Sequence, residues 1–179
     1  MEGSPTDRRP ASTWRRLVAY VVLDGVLVGL LIFAALTVLW VVFGPTTQFV
    51  DGTRIQAVVD DGRAILDGVV AALLAAAYFS GSWVGFGRTP GQAALGVRVV
   101  RATDGSRLGI GRAVVRWLAL GAPIAGLAML GPATADLPGG RAWLSVAGAI
   151  WLVLLLITTV VDPLGRGLHD RLAGSRATR

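Results

Sequence analysis

The chain has 179 residues, 54% of them hydrophobic and 16% charged, a composition too apolar for an ordinary soluble domain of that length. It lacks cysteine, which excludes disulfides and thiolate chemistry, and its single histidine, His169, cannot build a multi-histidine metal centre. Its 17 basic residues are all arginine and outnumber 11 acids to leave +6; they cluster in the polar stretches between apolar runs, which points to membrane topology and anionic lipid, not to nucleic acid.

In chain order, residues 1–13 mix Pro, Arg, Asp and Ser and read as a disordered tail. Residues 17–43 are apolar apart from Asp24, Gly and Thr, long enough to cross a hydrocarbon core of about 30 Å. The apolar stretch is too long for a cleaved signal peptide, so it reads as an uncleaved helix. A polar, acidic linker over 44–63 leads to a second apolar run, 64–86, with Asp67 near its start as a solvated helix-start acid.

Residues 87–112 are basic and glycine-rich and cannot span a membrane. The alternation of Val97, Val99 and Val100 with Arg98 and Arg101, followed by the turn dipeptide Asp104-Gly105, predicts a surface β-hairpin that returns over 106–110. A third apolar run, 113–130, is interrupted by Pro123 and carries Arg116 near its start. The fourth, 142–161, stops at Asp162-Pro163, and residues 176–179 read as a short tail. The predicted architecture is an all-α membrane protein, a four-transmembrane-helix bundle with a small cytoplasmic β-hairpin.

Arginine placement predicts the orientation. The N-terminal stretch holds Arg8, Arg9, Arg15 and Arg16; the central loop region holds Arg88, Arg98, Arg101, Arg107, Arg112 and Arg116; the C-terminal stretch holds Arg166, Arg171, Arg176 and Arg179. Fourteen fall on one side, against Arg54, Arg63 and Arg141 on the other. Positive charge is retained on the cytoplasmic side, so both termini are expected there, in a plasma membrane.

Asp24 is the most informative residue, because a charge deep in an apolar helix costs at least about 2.5 kcal/mol. Two readings stay open: a carboxylate that takes up a proton or a cation, or a buried acid that ties the bundle together through an arginine. Arg16 lies eight residues away on the same helix, about 12 Å along the axis, so the two need partners elsewhere. Arg116 is the expected partner of Asp24, and Asp162 or Asp170 that of Arg16. The spacings Gly25/Gly29 and Gly81/Gly85 fit close packing of the first two helices. The segment from Gly87 to Gln92 reads as a tight membrane-surface turn; it lacks the ending of a phosphate loop. No Gly-x-Ser-x-Gly elbow occurs, and no enzymatic activity, metal or cofactor is expected.

Three blocks in order carry a family resemblance. They are Arg15-Arg16-Leu17-Val18-Ala19-Tyr20 leading to Asp24; Gly87-Arg88-Thr89-Pro90-Gly91 and Gly96-Val97-Arg98-Val99-Val100 before Asp104-Gly105, with Arg116 beyond; and Gly167-Leu168-His169-Asp170-Arg171-Leu172-Ala173-Gly174. Over residues 14–175 the chain resembles the RDD family of small membrane proteins, named for one arginine and two aspartates. The resemblance implies Arg16, Asp24 and Asp170 as those residues, and transport of an ion or other ligand as the proposed role. The Arg16 to Asp24 interval is one residue longer than the family pattern, a rotation of about 100° on an α-helix.

The expected ion or proton site is therefore Asp24 with Arg16, Asp170, Arg116 and His169. Beside an acid, His169 could relay protons; the alternative is that residues 164–172 dock on the loops through Asp170. The expected partners are the lipid bilayer, a cation or proton, and further copies of the chain, since four helices make a narrow pathway. The competing function is a non-transporting membrane interaction protein that recruits a partner or anionic lipid through its arginine-rich face.

Overall fold

The computed structural model describes residues 10–50, 56–121, 123, 125–126 and 140–179. Three helices among them are long and apolar enough to cross a membrane: Thr13–Phe43, Gly62–Phe86 and Ala142–Val161, of 31, 25 and 20 residues. At 1.5 Å per residue each reaches about 30 Å or more, the thickness of the hydrocarbon layer. Their large apolar side chains, such as Val26, Phe33, Val41 and Ile150, point outward and not into a core. That outward display is stable only against lipid tails.

The first helix changes form along its length. It opens as α1 (Thr13–Leu17), capped by the Ser12 hydroxyl, which accepts from the Arg15 N–H; it continues as a π-helix over Val18–Asp24 and closes as α2 (Gly25–Phe43). The Gly25 N–H reaches back to the Tyr20 carbonyl, five residues earlier. A π turn accommodates extra residues within a helix. It thereby absorbs the long interval between Arg16 and Asp24 and leaves Arg16, Ala19 and Asp24 all buried.

Beyond Gly44, strands β1 (Thr47–Val50) and β2 (Gln56–Val59) pair antiparallel within the polar, acidic linker. Asp60 then caps α3 (Asp61–Phe86) by accepting from the Arg63 N–H at 3.0 Å. Asp67 is paired as well as near the surface: it accepts from Arg63 Nε at 2.9 Å and from the Thr46 hydroxyl at 2.6 Å. The helix α3 packs against α2, yet a side-chain carbon added at Gly29, Gly81 or Gly85 would meet nothing within 4 Å. The helices touch through other residues, and the glycine spacings do not mark their contact.

An arginine-rich layer forms at the other end of α3. It contains α4 (Pro90–Ala94), β3 (Arg98–Arg101), α5 (Ile110–Leu120), and, after the long helix α6 (Gly140–Val161), α7 (Leu168–Leu172) and β4 (Ser175–Thr178). The turn at Asp104-Gly105 is present, with Arg101 N–H bonded to the Ser106 carbonyl at 2.8 Å. The strand partner differs from the expected hairpin, because β3 pairs with β4, from Arg98↔Thr178 to Arg101↔Ser175. Residues 106–110 are drawn elsewhere: Leu108 enters the core beside Trp83, Val99 and Ala113, and Gly109 caps α5.

Both chain ends are tied into this layer. Residues 176–178, expected as tail, belong to β4; Pro10 bridges Thr178, and the Ala11 N–H bonds the Ala177 carbonyl at 3.2 Å. Residues 1–9 of the expected tail lie outside the described residues. The termini therefore leave from one end of the molecule. Of the third crossing expected, over 113–130, the described part is chiefly α5, an amphipathic helix, and most of the remainder lies outside the described residues.

Candidate functional site

Two buried carboxylates stand where the spans meet the arginine-rich layer. Asp24, 0% exposed, sits at the end of the π-helix and faces the start of α4. Thr89-Pro90-Gly91-Gln92 builds that start as a capping box: the Thr89 hydroxyl accepts from the Gln92 N–H, the Gln92 side chain accepts from the Thr89 N–H, and proline occupies the first helical position. The Asp24 carboxylate accepts from the Thr89 hydroxyl at 2.5 Å, from the Gly91 N–H at 2.8 Å and from the Tyr78 hydroxyl at 2.8 Å.

Gly91 is required for this docking. A side-chain carbon there would lie 2.7 Å from the Ala19 carbonyl and 2.8 Å from Asp24 Cγ. All three groups that hold Asp24 are neutral, and among the described residues no arginine lies within ion-pair distance of it. Burial of an ion costs several kcal/mol, while hydrogen bonds to a charged group return about 1.5–3 kcal/mol each. Three such bonds can hold the carboxylate in place without neutralising it.

Asp170, also 0% exposed, has the opposite surroundings. Arg16 Nη2 donates to its Oδ2 at 2.5 Å, Arg116 Nη1 pairs with its Oδ1, and the Ser175 hydroxyl donates to Oδ1 at 3.0 Å. Arg16 also donates to the Gly165 carbonyl. Arg116 donates to the Tyr20 hydroxyl and to Ser175 Oγ, each at 2.7 Å, and its guanidinium stacks over Trp83 at 4.9 Å. Burial alone would raise the Asp170 carboxyl, but the Arg116 and Arg16 guanidiniums outweigh it and hold the group below the usual carboxylate range. One carboxylate thus joins the first helix, α5, α7 and β4.

His169 lies against this cluster, its Nε2 3.5 Å from Asp170 Oδ2. Burial pushes the imidazole down from 6.5 to about 3, so it is neutral at physiological pH. A neutral ring held there does not pick up protons near pH 7. A cavity of about 150 Å³ adjoins the cluster, lined by Arg16, Tyr20, Leu155, Thr159 and His169 among others. Among the described residues no group of three or more His, Cys, Asp or Glu could hold a metal ion.

The family model for the RDD family matches residues 10–174. The chain belongs to the RDD family. Together with the three apolar helices, this makes it a multi-pass membrane protein. Neither curated proteins nor solved structures give a match.

Of the three residues that the RDD resemblance implies, two meet and one stands apart. Arg16 and Asp170 are joined directly, whereas Asp24 occupies its own socket. The expected pairing of Asp24 with Arg116 is corrected, because Arg116 is committed to Asp170, Tyr20 and Ser175. The sequence reading sought a charge to answer a charge, and α4 supplied neutral donors instead. It also missed Tyr78, Thr89, Gly91, Tyr20 and Ser175. A signal for Thr89 was present, since Thr-x-x-Gln with proline after the threonine is a helix-start pattern; the single hydroxyls on apolar helices and the terminal Ser175 carried none.

Proposed function

We propose that this RDD-family protein moves protons across the membrane, alone or in exchange for a cation, and that Asp24 is the group that takes up and releases the proton. The observation that supports this is a carboxylate buried completely within a membrane span and touched, among the described residues, only by neutral donors. Protonation there removes a buried charge without leaving an arginine unpaired. The socket suits a proton better than a metal ion, because the Gly91 N–H aims a donor at the carboxylate where a metal would need oxygen ligands.

The remaining expected site residues take positioning roles in this reading. Arg16, Arg116 and Asp170, with neutral His169 beside them, clamp the first helix to the arginine-rich layer and fix the π turn that presents Asp24. In this reading the arginine-rich layer faces the cytoplasm across a plasma membrane, with both termini inside, and the concentration of positive charge there supports it. More than one copy is expected to complete a pathway. No enzymatic step is part of the proposal.

The test is dissipation of a pH gradient by the purified protein in proteoliposomes, with Na⁺, K⁺ and Li⁺ screened in turn. Flux that Asp24→Asn abolishes, with insertion unchanged, is the expected result; no flux under any of these conditions removes the proposal. The second reading, a protein that recruits a partner or lipid without transport, is favoured by one feature: Arg88, Arg98 and Arg107 stand together and none is in an ion pair among the described residues.

A further inference from the structure

A cavity with a polar lining lies away from both carboxylates, where α3 leaves the apolar layer. Its volume is about 610 Å³, within the range of small-molecule sites. Three guanidiniums line it from three separate places in the sequence: Arg88 just after α3, Arg98 on β3 and Arg107 after the Asp104-Gly105 turn. No acid lines it. The nearby Asp104 is already engaged by Arg101 at 3.1 Å and by the Ser106 N–H and hydroxyl.

The floor is fixed. Val99 and Thr89 are fully buried, and the Gly87 carbonyl accepts from the Val99 N–H at 2.7 Å, which locks the end of α3 to β3. Arg107 is oriented by one bond, Nη1 to the Gly85 carbonyl at 2.9 Å. Its other donors, and those of Arg88 and Arg98, make no hydrogen bond recorded among the described residues. Three positive charges held beside one hollow without a counter-charge repel one another, and an anion at their centre relieves that repulsion.

The position of the hollow selects the source of the anion. Phe86, the last residue of α3, lines it and is 75% exposed, so the opening lies at the level where an apolar ring passes into lipid. Guanidiniums at this depth meet the head groups of the adjoining leaflet before they meet solutes. We propose that Arg88, Arg98 and Arg107 form a binding site for the phosphate of an anionic phospholipid head group. This gives the second reading above its ligand, and it stands whether or not Asp24 titrates.

The experiment measures thermal unfolding of the purified full chain in neutral detergent micelles doped with short-chain phosphatidylglycerol, with phosphatidylcholine, or with soluble glycerol phosphate at matched concentration. Phosphatidylglycerol is expected to raise Tm with saturation. The triple variant Arg88→Gln, Arg98→Gln, Arg107→Gln is expected to keep its basal Tm and to bind that lipid roughly a hundredfold more weakly, from about 1 kcal/mol per arginine. Arg179→Gln, an exposed arginine outside the hollow, is expected to retain the full shift. If the triple variant loses basal Tm, the single variant Arg98→Gln, on an exposed strand position, is read in its place. An equal shift with phosphatidylcholine, an equal shift with glycerol phosphate, or a shift that survives the arginine changes would each overturn the assignment. No proton flux is read, so this site and the Asp24 proposal fail separately.

Discussion

Asp24 and Asp170 are equally buried, one on the first helix and the other tied to it through Arg16, yet their neighbours differ in kind. Asp170 is closed between two guanidiniums, a serine hydroxyl and a neutral imidazole; Asp24 is cradled by a tyrosine, a threonine and one backbone N–H. The contrast teaches that burial alone does not assign a role to an intramembrane acid. A carboxylate whose loss strands two buried cations is a clamp, whereas one held among the described residues by neutral donors alone is the candidate for the proposed proton carrier.

The largest effect should therefore come from Asp170. Asp170→Asn leaves Arg16 and Arg116 buried without their counter-charge, which costs about 3–5 kcal/mol and should abolish recovery of monodisperse protein on size-exclusion in detergent. Recovery at the wild-type level would erase the contrast. Next comes the socket itself. Gly91→Ala drives a methyl carbon into the Ala19 carbonyl and the Asp24 carboxyl, and a loss of about 1–3 kcal/mol is expected in thermal unfolding.

The Asp170 region should also be the acid-sensitive one. The folded His169 holds its proton only below about 3, against 6.5 when exposed in the unfolded chain, so the unfolded chain binds more protons between those values. Stability from this residue is complete above about pH 6.5 and falls as pH drops toward 3, by up to about 1.4 kcal/mol per unit. His169→Gln should flatten that slope in Tm against pH. A slope unchanged by the substitution would place the acid sensitivity elsewhere.

The smallest stability effect belongs to Asp24→Asn. The amide oxygen still accepts from Gly91 and Tyr78, and the Thr89 hydroxyl can turn to accept from the amide nitrogen, so weaker bonds trade against the removal of a buried charge. The net change in unfolding free energy should stay within about 1 kcal/mol. A loss as large as that of Asp170→Asn would make Asp24 a second clamp.

Much of this arrangement could be read from the residues. Long apolar runs mark the three spans because a helix satisfies its backbone polar groups within the segment where lipid offers them no partner. The link from Arg16 to Asp170 was within reach because few acids stand near that end of the chain. Pairing at long range was not. Strands of four residues such as β3 and β4 have no local pattern that names their partner, so the Asp104-Gly105 turn was read as a hairpin while the true partner lay at the C-terminus. The π turn is equally silent in sequence; only the long Arg16 to Asp24 interval hinted at it. Glycine spacing misled, because Gly29, Gly81 and Gly85 face open space while Gly91, in a segment read only as a turn, carries the close approach.

The most direct test of the central contrast is infrared difference spectroscopy of the reconstituted protein across a pH step, which reports a carboxyl group gaining its proton within the membrane. The account predicts a band from one protonated buried carboxyl that disappears in Asp24→Asn and survives in His169→Gln. A band that persists in Asp24→Asn, or no band at any pH at which the protein stays folded, would contradict it.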